Sequence, residues 1–499
     1  MKLRTFSAAC SFALLPMLAT AGDNKIDIGQ LYTGEFRVEH SDLANMTLAE
    51  KRLAGMRMFT NPFLKSQGFG DGDDNPPSPS ATGNHEGERG TLQGNGSFQR
   101  INGLDAQTCL ECHSVISRRK VPFTTGIGGV GGINNTVLGA GGATLVDLKS
   151  TDKKTNVNGR VINPPFIFGA GGIELLANEM TIALQKQLAA APAGATTALF
   201  AKGVSFGSIT KDAFGEVVVD ADGNAVGAEG TFRLNPRNAD GSHNEDFLVV
   251  APFGRKGDAK STRDFDIGAL SFHFGMRVDE GLDHDNDGVV NEVLDGELSV
   301  LSVFVGTAQT PFAKAPDAEA VRGRHLINEI GCTGCHIPSM ETNTKHLGFR
   351  APDVANDPTA NVHTYVNLAR APMSFEKNEI GGVTVELFAD LKRHYMGANL
   401  EEFNGDGMFT TMRLWGVADT APYLHDGRAF TIKDAIQTHG LDPASEAFTA
   451  VSNFNNLSED DQNALLAFLD TLRSPNGTFP RLLNHVANEV ALEQGVTAN

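Results

Sequence analysis

Two copies of the pattern Cys-x-x-Cys-His constrain this 499-residue chain more than any other feature. Two thiols three positions apart can reach the two vinyl groups of one porphyrin, and the adjacent histidine places an imidazole under the iron. A disulfide or a four-cysteine zinc site needs no histidine directly after the second cysteine. We therefore predict two covalently attached haem c groups. The attachment cysteines and axial histidines are Cys109, Cys112 and His113 in the first motif, and Cys332, Cys335 and His336 in the second.

The first 21 residues have the layout of a secretory signal. Lys2 and Arg4 precede a short apolar stretch, and Ala19–Ala21 supplies an A-x-A cleavage site. The stretch is too short for a membrane anchor and is broken by Pro16. No later apolar run reaches the roughly 18 residues needed to cross a bilayer. We expect cleavage near Ala21, a periplasmic or secreted mature protein, and no membrane span.

The formal net charge of −19 argues against nucleic acid or an anionic membrane as a partner. An acidic surface suits a basic redox partner protein, such as a small cytochrome or a cupredoxin, but it is also an ordinary aid to solubility. The other partner that we expect is a small-molecule oxidant or reductant.

Local patterns predict a mainly α fold with long loops and two cytochrome c-like haem domains. Helices are predicted around residues 48–59, 174–188, 318–330 and 458–472, while residues of about 205–250 read as extended. The segments Gly68–Gly96 and Gly126–Gly142 are rich in glycine and read as loops. The expected division is a signal at 1–21, an N-terminal haem domain enlarged by loops and some β structure at 22–316, and a C-terminal haem domain at 317–499.

Beyond the haem motifs, four stretches resemble the di-haem oxidoreductases related to bacterial di-haem cytochrome c peroxidases and MauG. The nearest branch is the thiol-oxidoreductase-like di-haem proteins, and rubber oxygenases are more distant relatives. This resemblance implies that small-molecule chemistry occurs at the N-terminal haem and that the C-terminal haem passes electrons. The stretches are Asn163–Glu179, Arg322–His336, His394–Gly397 and Leu414–Gly440.

A second ligand for the C-terminal haem is predicted at His439. Ile432, Ile436 and His439 share one face of a helix that Thr431 can cap, with Asp434 completing a capping box. An imidazole on an apolar face needs a partner, although a satisfied core histidine fits the same pattern. The resemblance favours the ligand, because His439 lies fourteen residues after His425, where the peroxidases carry a Met ligand and MauG a Tyr. The alternatives are Met396, Met408 and Met412.

His425 itself is expected to act one step away from the iron. The resemblance implies that it bridges the two haems through hydrogen bonds to their propionates. The competing interpretation is a turn histidine held by Asp426.

The N-terminal haem lacks an obvious second ligand. After His113 the next Met is Met180 and the next His is His243, so an open or water-bound iron is expected. Residues before the motif could still reach it: Met56, Met58 and His85.

A distal acid would help to protonate bound peroxide. The resemblance places this role on Glu174, with Glu179 as second choice, although either could be an ordinary solvated acid.

Two departures from the relatives put cytochrome c peroxidase activity itself in doubt. The N-terminal half contains no Trp, so the inter-haem tryptophan of the peroxidases and MauG has no counterpart there. Glycine-rich sequence also replaces the loop that carries the peroxidases' removable distal histidine, which implies no ligand switching of their kind.

Residues 283–291 reproduce the first nine positions of an EF-hand-type calcium loop. Carboxylates at alternate positions converge on one cation, and Gly288 allows the sharp turn. Position twelve is Leu294 instead of an acid, and a solvated acidic turn is the alternative. The predicted ligands are Asp283, Asp285, Asp287, Val289 and Asn291.

Together these features predict an exported di-haem c-type oxidoreductase with peroxidase-like chemistry at the N-terminal haem. Two alternatives remain open: a pure electron-transfer cytochrome without substrate turnover, and an alkene dioxygenase similar to the rubber oxygenases.

Overall fold

The computed structural model describes residues 37–60, 164–270, 291–400, 406–425 and 427–475, together with short pieces between residues 63 and 157 and between 274 and 278. Several sequence predictions lie outside the described residues. These are the signal segment, both glycine-rich loops, Cys112, His85, Asp426 and positions 283–289 of the calcium loop.

The described α-helices agree with the five predicted ones, including the helix after Thr431, and add three more. Local signals explain most of their starts: Asp317, Thr431 and Ser458 each accept a hydrogen bond from the backbone amide three residues on. Thr431 and Asp434 form the predicted reciprocal capping box. The helices are α1 (Leu48–Thr60), α2 (Ala170–Ala190), α3 (Thr262–Ala269), α4 (Asp295–Gly306), α5 (Ala318–Glu329), α6 (Ile432–Thr438), α7 (Phe448–Asn456) and α8 (Glu459–Leu469).

The described strands are short, and they pair antiparallel in sheets of two or three strands. In chain order they are β1 (Gln99–Arg100), β2 (Gly103–Leu104), β3 (Ala143–Val146), β4 (Lys154–Val157), β5 (Thr196–Ala201), β6 (Val204–Thr210), β7 (Phe312–Ala313), β8 (Met340–Glu341), β9 (His346–Arg350), β10 (Val362–Asn367), β11 (Glu376–Lys377), β12 (Val383–Val385), β13 (Arg393–Tyr395), β14 (Met408–Thr410) and β15 (Leu472–Arg473). The paired strands are β1 with β2, β3 with β4, β5 with β6, β9 with β10, β13 with β14, β7 with β15, and β12 with both β8 and β11.

The prediction of a mainly α fold is wrong. Helices account for 35% of the structure and strands for 17%, and much of the rest is turns. Side chains of Asp and Asn stabilise these turns by accepting hydrogen bonds from amides just downstream. Asp212 accepts from Phe214 and Glu216, and Asp220 accepts from Asp222 and Asn224, all at 2.9 Å. Such turns leave no hydrophobic periodicity, so the sequence pattern underestimates how much chain they hold.

The larger of two hydrophobic cores joins helices from the first half of the chain to strands from the second. Ile173 and Leu176 of α2 pack there with Leu298 of α4 and with Leu347 of β9, and all four are fully buried. Trp415 belongs to the same core. Residues between 340 and 391 therefore contribute to a core shared with the N-terminal half.

The smaller core lies around the second haem motif. Helices α5 and α8 pack against each other there, and a Cβ at Gly323 would come within 1.9 Å of the Ala464 carbonyl oxygen. Only glycine therefore permits this close helix crossing. Cys332 and Ile436 pack at the edge of the cluster, which brings the haem motif and α6 to the same core.

Within the ranges that the structure describes, no helix combines the length and the apolar character required to cross a membrane.

Candidate haem sites

In both Cys-x-x-Cys-His motifs the histidine is hydrogen-bonded back to the first cysteine, and Cys332–Gly334 of the second motif form a turn of 3-10 helix. The backbone amide of His113 donates to the carbonyl of Cys109 at 2.7 Å, and the amide of His336 donates to that of Cys332 at 2.9 Å. Each turn brings its histidine back over its first cysteine. Cys332 and Cys335 are not joined by a disulfide, and burial raises the pKa of the Cys332 thiol to about 11.

Each motif histidine is fixed by a backbone carbonyl that lies 52 residues downstream. The Nδ1 atom of His113 lies 3.0 Å from the oxygen of Pro165, and Nδ1 of His336 lies 2.9 Å from that of Phe388. We call these two carbonyls the carbonyl anchors. A carbonyl can only accept, so Nδ1 carries the proton and Nε2 keeps the lone pair that an iron would use.

Burial lowers the pKa of both His113 and His336 to about 4. Their imidazoles are therefore neutral at pH 7, which is the form that coordinates a metal. The second haem site thus repeats the first in three respects: the turn, the carbonyl anchor and the neutral ring.

His439 lies at the C-terminal end of α6, where its Nδ1 atom is 2.7 Å from the Ala435 carbonyl oxygen. This contact again leaves Nε2 without the proton. Burial lowers the pKa of His439, and its charge is one of the influences that lower the pKa of His336. The role of His439 as a second ligand beside His336 stays a prediction.

The surroundings of His113 are aromatic. The ring of Phe59 lies 6.3 Å from the imidazole and also packs on Phe304, which lines a small cavity. Met56 and Met58 are both buried in the larger core. His85, the remaining alternative ligand, lies outside the described residues.

Glu174 is buried in α2 and is fully engaged by neighbours. Its Oε2 atom accepts hydrogen bonds from the amide and the hydroxyl of Thr262, both at 2.9 Å, and its Oε1 atom lies 3.4 Å from Arg350. Burial raises the pKa of Glu174, against the opposing charge of Arg350. These contacts are those of a structural ion pair, and its role as a distal acid stays a prediction. Glu179, the second choice, pairs with Lys202 at 2.5 Å.

His394 contributes a second group of contacts to the C-terminal site. Its Nε2 atom lies 2.7 Å from Asp390, and its Nδ1 atom lies 2.7 Å from Glu446. Burial opposes its charge, but hydrogen bonds to Asp390 and to Cys335 raise its pKa to about 11. His394 is therefore an imidazolium that joins β13 to the loop after His439. The resemblance included His394, but sequence reasoning assigned it no role.

The loop after His439 is tied to β13 by several further contacts. The amide of Tyr395 donates to Glu446 at 2.7 Å, and the amide of Glu446 donates back to the Tyr395 carbonyl at 2.9 Å. The hydroxyl of Ser445 donates to the His439 carbonyl at 2.8 Å. The segment that carries the Phe388 anchor thus also holds the loop that follows His439.

The atoms of Cys335, Asp390 and His394 lie within 4.8 Å of one another, as in some metal sites. Both nitrogens of His394 already face carboxylates, however, and an imidazolium has no lone pair for a cation. We therefore assign these residues to the surroundings of the second haem motif.

Two other predicted residues have described positions. His425 stacks on Phe409, with ring centroids 5.0 Å apart, and Lys256 lies 4.1 Å from the same ring centroid. Asn291 has a left-handed backbone (φ 57°), and its carbonyl accepts from Arg37 at 2.5 Å. The other four predicted calcium ligands lie outside the described residues.

Residues 299–472 match the family model described as "Di-haem oxidoreductase, putative peroxidase". This part of the chain is a di-haem oxidoreductase domain. The match includes the second haem motif, His394 and His439, and it begins within α4. The family supports haem cofactors and an oxidoreductase function.

A solved structure titled "Crystal structure of a MauG-like protein associated with microbial copper homeostasis" is similar over 68% of this chain and 95% of that one. The sequence identity is 13% and the TM-score is 0.27, a value too low to establish a common fold. No curated protein matches this chain.

Proposed function

We propose that this chain is an exported oxidoreductase with two covalently attached haem c groups of unequal role. His336 and His439 hold a haem through which electrons pass. His113 holds the haem at which peroxide, dioxygen or another small substrate reacts.

The observation that carries this proposal is that three histidines have the same protonation pattern. His113, His336 and His439 each direct Nδ1 to a backbone carbonyl, which leaves Nε2 for a metal. Histidines that only fill a hydrophobic core do not need to share this protonation pattern. A bound haem supplies one-electron redox chemistry and, where a coordination position is open, binds a small molecule.

The protein residues provide the surroundings of that chemistry. The cysteines supply thiols for two thioether links per haem, burial keeps the imidazoles neutral, and the carbonyl anchors fix the ring orientations. Cys335 lies beside the His394 imidazolium, so the second attachment point is held next to a fixed positive charge.

Export and a calcium ion belong to the same proposal. Their support is the N-terminal signal pattern and the alternating carboxylates from Asp283 to Asn291. We keep the division at residues 316 and 317 as a proposal too, since the larger core takes residues from both sides of it.

Expression in a host that attaches haem c tests the proposal. We expect two haems per chain in a pyridine haemochrome assay, both retained after denaturation, and peroxide-dependent oxidation of a reduced small cytochrome. Haem that dissociates on denaturation would contradict covalent attachment. Two haems without turnover would favour the electron-transfer cytochrome, and oxygen uptake with an alkene and no electron donor would favour the dioxygenase.

A further inference from the structure

Arg413 is a partly buried cation in a segment that contacts residues beside both carbonyl anchors. Its Nη2 atom donates to the Phe166 carbonyl at 2.5 Å, while its Nε atom is buried without a hydrogen-bond partner. Burial lowers the pKa of Arg413 to about 10, so the guanidinium remains charged at pH 7.

On one side, Arg413 contacts the residue next to the anchor of His113. Phe166 directly follows Pro165, whose carbonyl fixes the His113 ring. The same segment packs closely on the Phe166 ring, because a Cβ at Gly416 would lie 2.7 Å from it. Displacement of Arg413 would therefore disturb the peptide that orients His113.

On the other side, the same segment contacts the anchor of His336. The amide of Leu414 donates to the Leu387 carbonyl at 3.1 Å, and the next residue, Phe388, carries the second anchor. Arg413 and Leu414 thus form hydrogen bonds to Phe166 and Leu387, the residues next to the two carbonyl anchors.

The charge of Arg413 has no carboxylate partner among the described residues. Other buried arginines have one: Arg350 pairs with Glu174 and Asp353, and Arg393 pairs with Asp406. An unpaired buried charge is costly, so an anion is expected beside Arg413. Haem propionates are carboxylates, and they belong to the cofactors whose ligands Arg413 links.

We propose that Arg413 is a positioning residue shared by the two haem sites, with a haem propionate as its anionic partner. It fixes the two carbonyl anchors relative to each other and places one positive charge between the haems. This inference rests on the proposed function. A nearby positive charge favours the state with the additional electron, so Arg413 should raise the reduction potential on both sides.

Redox titration of the full-length holoprotein tests the inference with three variants. Arg413→Gln removes the charge and leaves a shorter polar side chain, and Arg413→Lys keeps the charge. Arg322→Gln is the matched control, because Arg322 is exposed and pairs with Asp461 at the surface, where screening is strong. Resonance Raman spectra in the region of the propionate bending modes provide a second measurement.

We expect Arg413→Gln to lower both midpoint potentials, Arg413→Lys to retain most of the wild-type values, and the control to change neither. Both Arg413 variants should shift a propionate mode. Unchanged potentials in Arg413→Gln, or an equal fall in the lysine variant, would overturn the inference. If the glutamine variant does not fold, unchanged propionate modes in Arg413→Lys would overturn it.

The number of covalent haems is measured first, so that the two proposals fail in different ways. Fewer than two haems in the wild-type chain would overturn the proposed function and this inference with it. Two haems, with the variants failing as described, would overturn the role of Arg413 alone.

Discussion

The two haem motifs are alike in how they hold their own histidine and different in what surrounds it. In both, a helical turn and a carbonyl anchor 52 residues downstream fix the ring. Around His336, however, the structure brings His439 and the His394 imidazolium. Around His113, the described neighbours are the anchor and the Phe59 ring.

This difference indicates that the attachment motif alone does not set the role of a haem. In the proposed function, the motif and its anchor hold the haem in the same way at both sites, and separate segments of chain determine whether a second ligand is present. At the C-terminal site that segment is α6 and the loop tied to β13 by Glu446. The predictions below test this inequality from its largest expected effect to its smallest.

Removal of His439 should abolish the difference in spin state between the two sites. In His439→Ala the low-spin electron paramagnetic resonance (EPR) signal of the C-terminal haem should convert to high spin, because the iron loses a strong ligand. His346→Ala, at an exposed position in β9, is the control and should keep the wild-type spectrum. An unchanged spectrum in His439→Ala would exclude His439 as the ligand.

Replacement of His394 should destabilise the C-terminal site selectively. His394→Leu leaves the buried carboxylate of Asp390 without its partner, so the free energy of unfolding should fall by about 3 kcal/mol. The C-terminal EPR signal should shift while that of the other haem stays in place. Chemical denaturation measures the loss, with His346→Leu as control. Equal stabilities of the two variants would show that the His394 contacts contribute little.

On the N-terminal side, Glu174→Gln should lower the free energy of unfolding by about 1–3 kcal/mol, because buried hydrogen bonds from Thr262 and the pair with Arg350 weaken. Glu319→Gln, at an exposed position in α5, is the control. If Glu174 also supplies protons to bound peroxide, its variant should react with peroxide more slowly than the control. Equal rates in the two variants would contradict that role.

The smallest effect, measured over a single pH unit, concerns the pH dependence of stability. Burial raises the pKa of Asp266 well above its usual range, although a hydrogen bond from Ser302 opposes this. The folded protein therefore keeps a proton on Asp266 that the unfolded chain releases above a pH of about 4. The free energy of unfolding consequently falls as the pH rises, by at most about 1.4 kcal/mol per pH unit.

Asp266→Asn removes this dependence, so the variant should gain stability relative to the wild type between pH 5 and pH 8. Urea denaturation at both pH values measures the difference. A gap between the two proteins that stays constant over this range would show that Asp266 does not keep its proton in the folded state.

The sequence predicted the features of this molecule that depend on neighbouring residues. The helix before Cys332, the helix that begins after Ser458 and the capping box of Thr431 and Asp434 all follow from local patterns, and the structure has them. Asp- and Asn-based turns have no periodicity, and for that reason the mainly α prediction failed.

Features made by contacts between distant residues could not be predicted. The carbonyl anchors belong to Pro165 and Phe388, and a backbone carbonyl leaves no mark on the side-chain pattern. His394 lay in a stretch that resembled known proteins, but its role depends on Glu446, which the fold brings to it. Arg413 is significant only because the described structure gives it no carboxylate.

The EPR spectrum of the fully oxidised wild-type protein tests most directly whether the two haems differ in their second ligand. We predict one low-spin signal, from the haem held by His336 and His439, and one high-spin signal, from the haem held by His113. Two low-spin signals without a high-spin component would contradict the account, because both irons would then have two strong ligands.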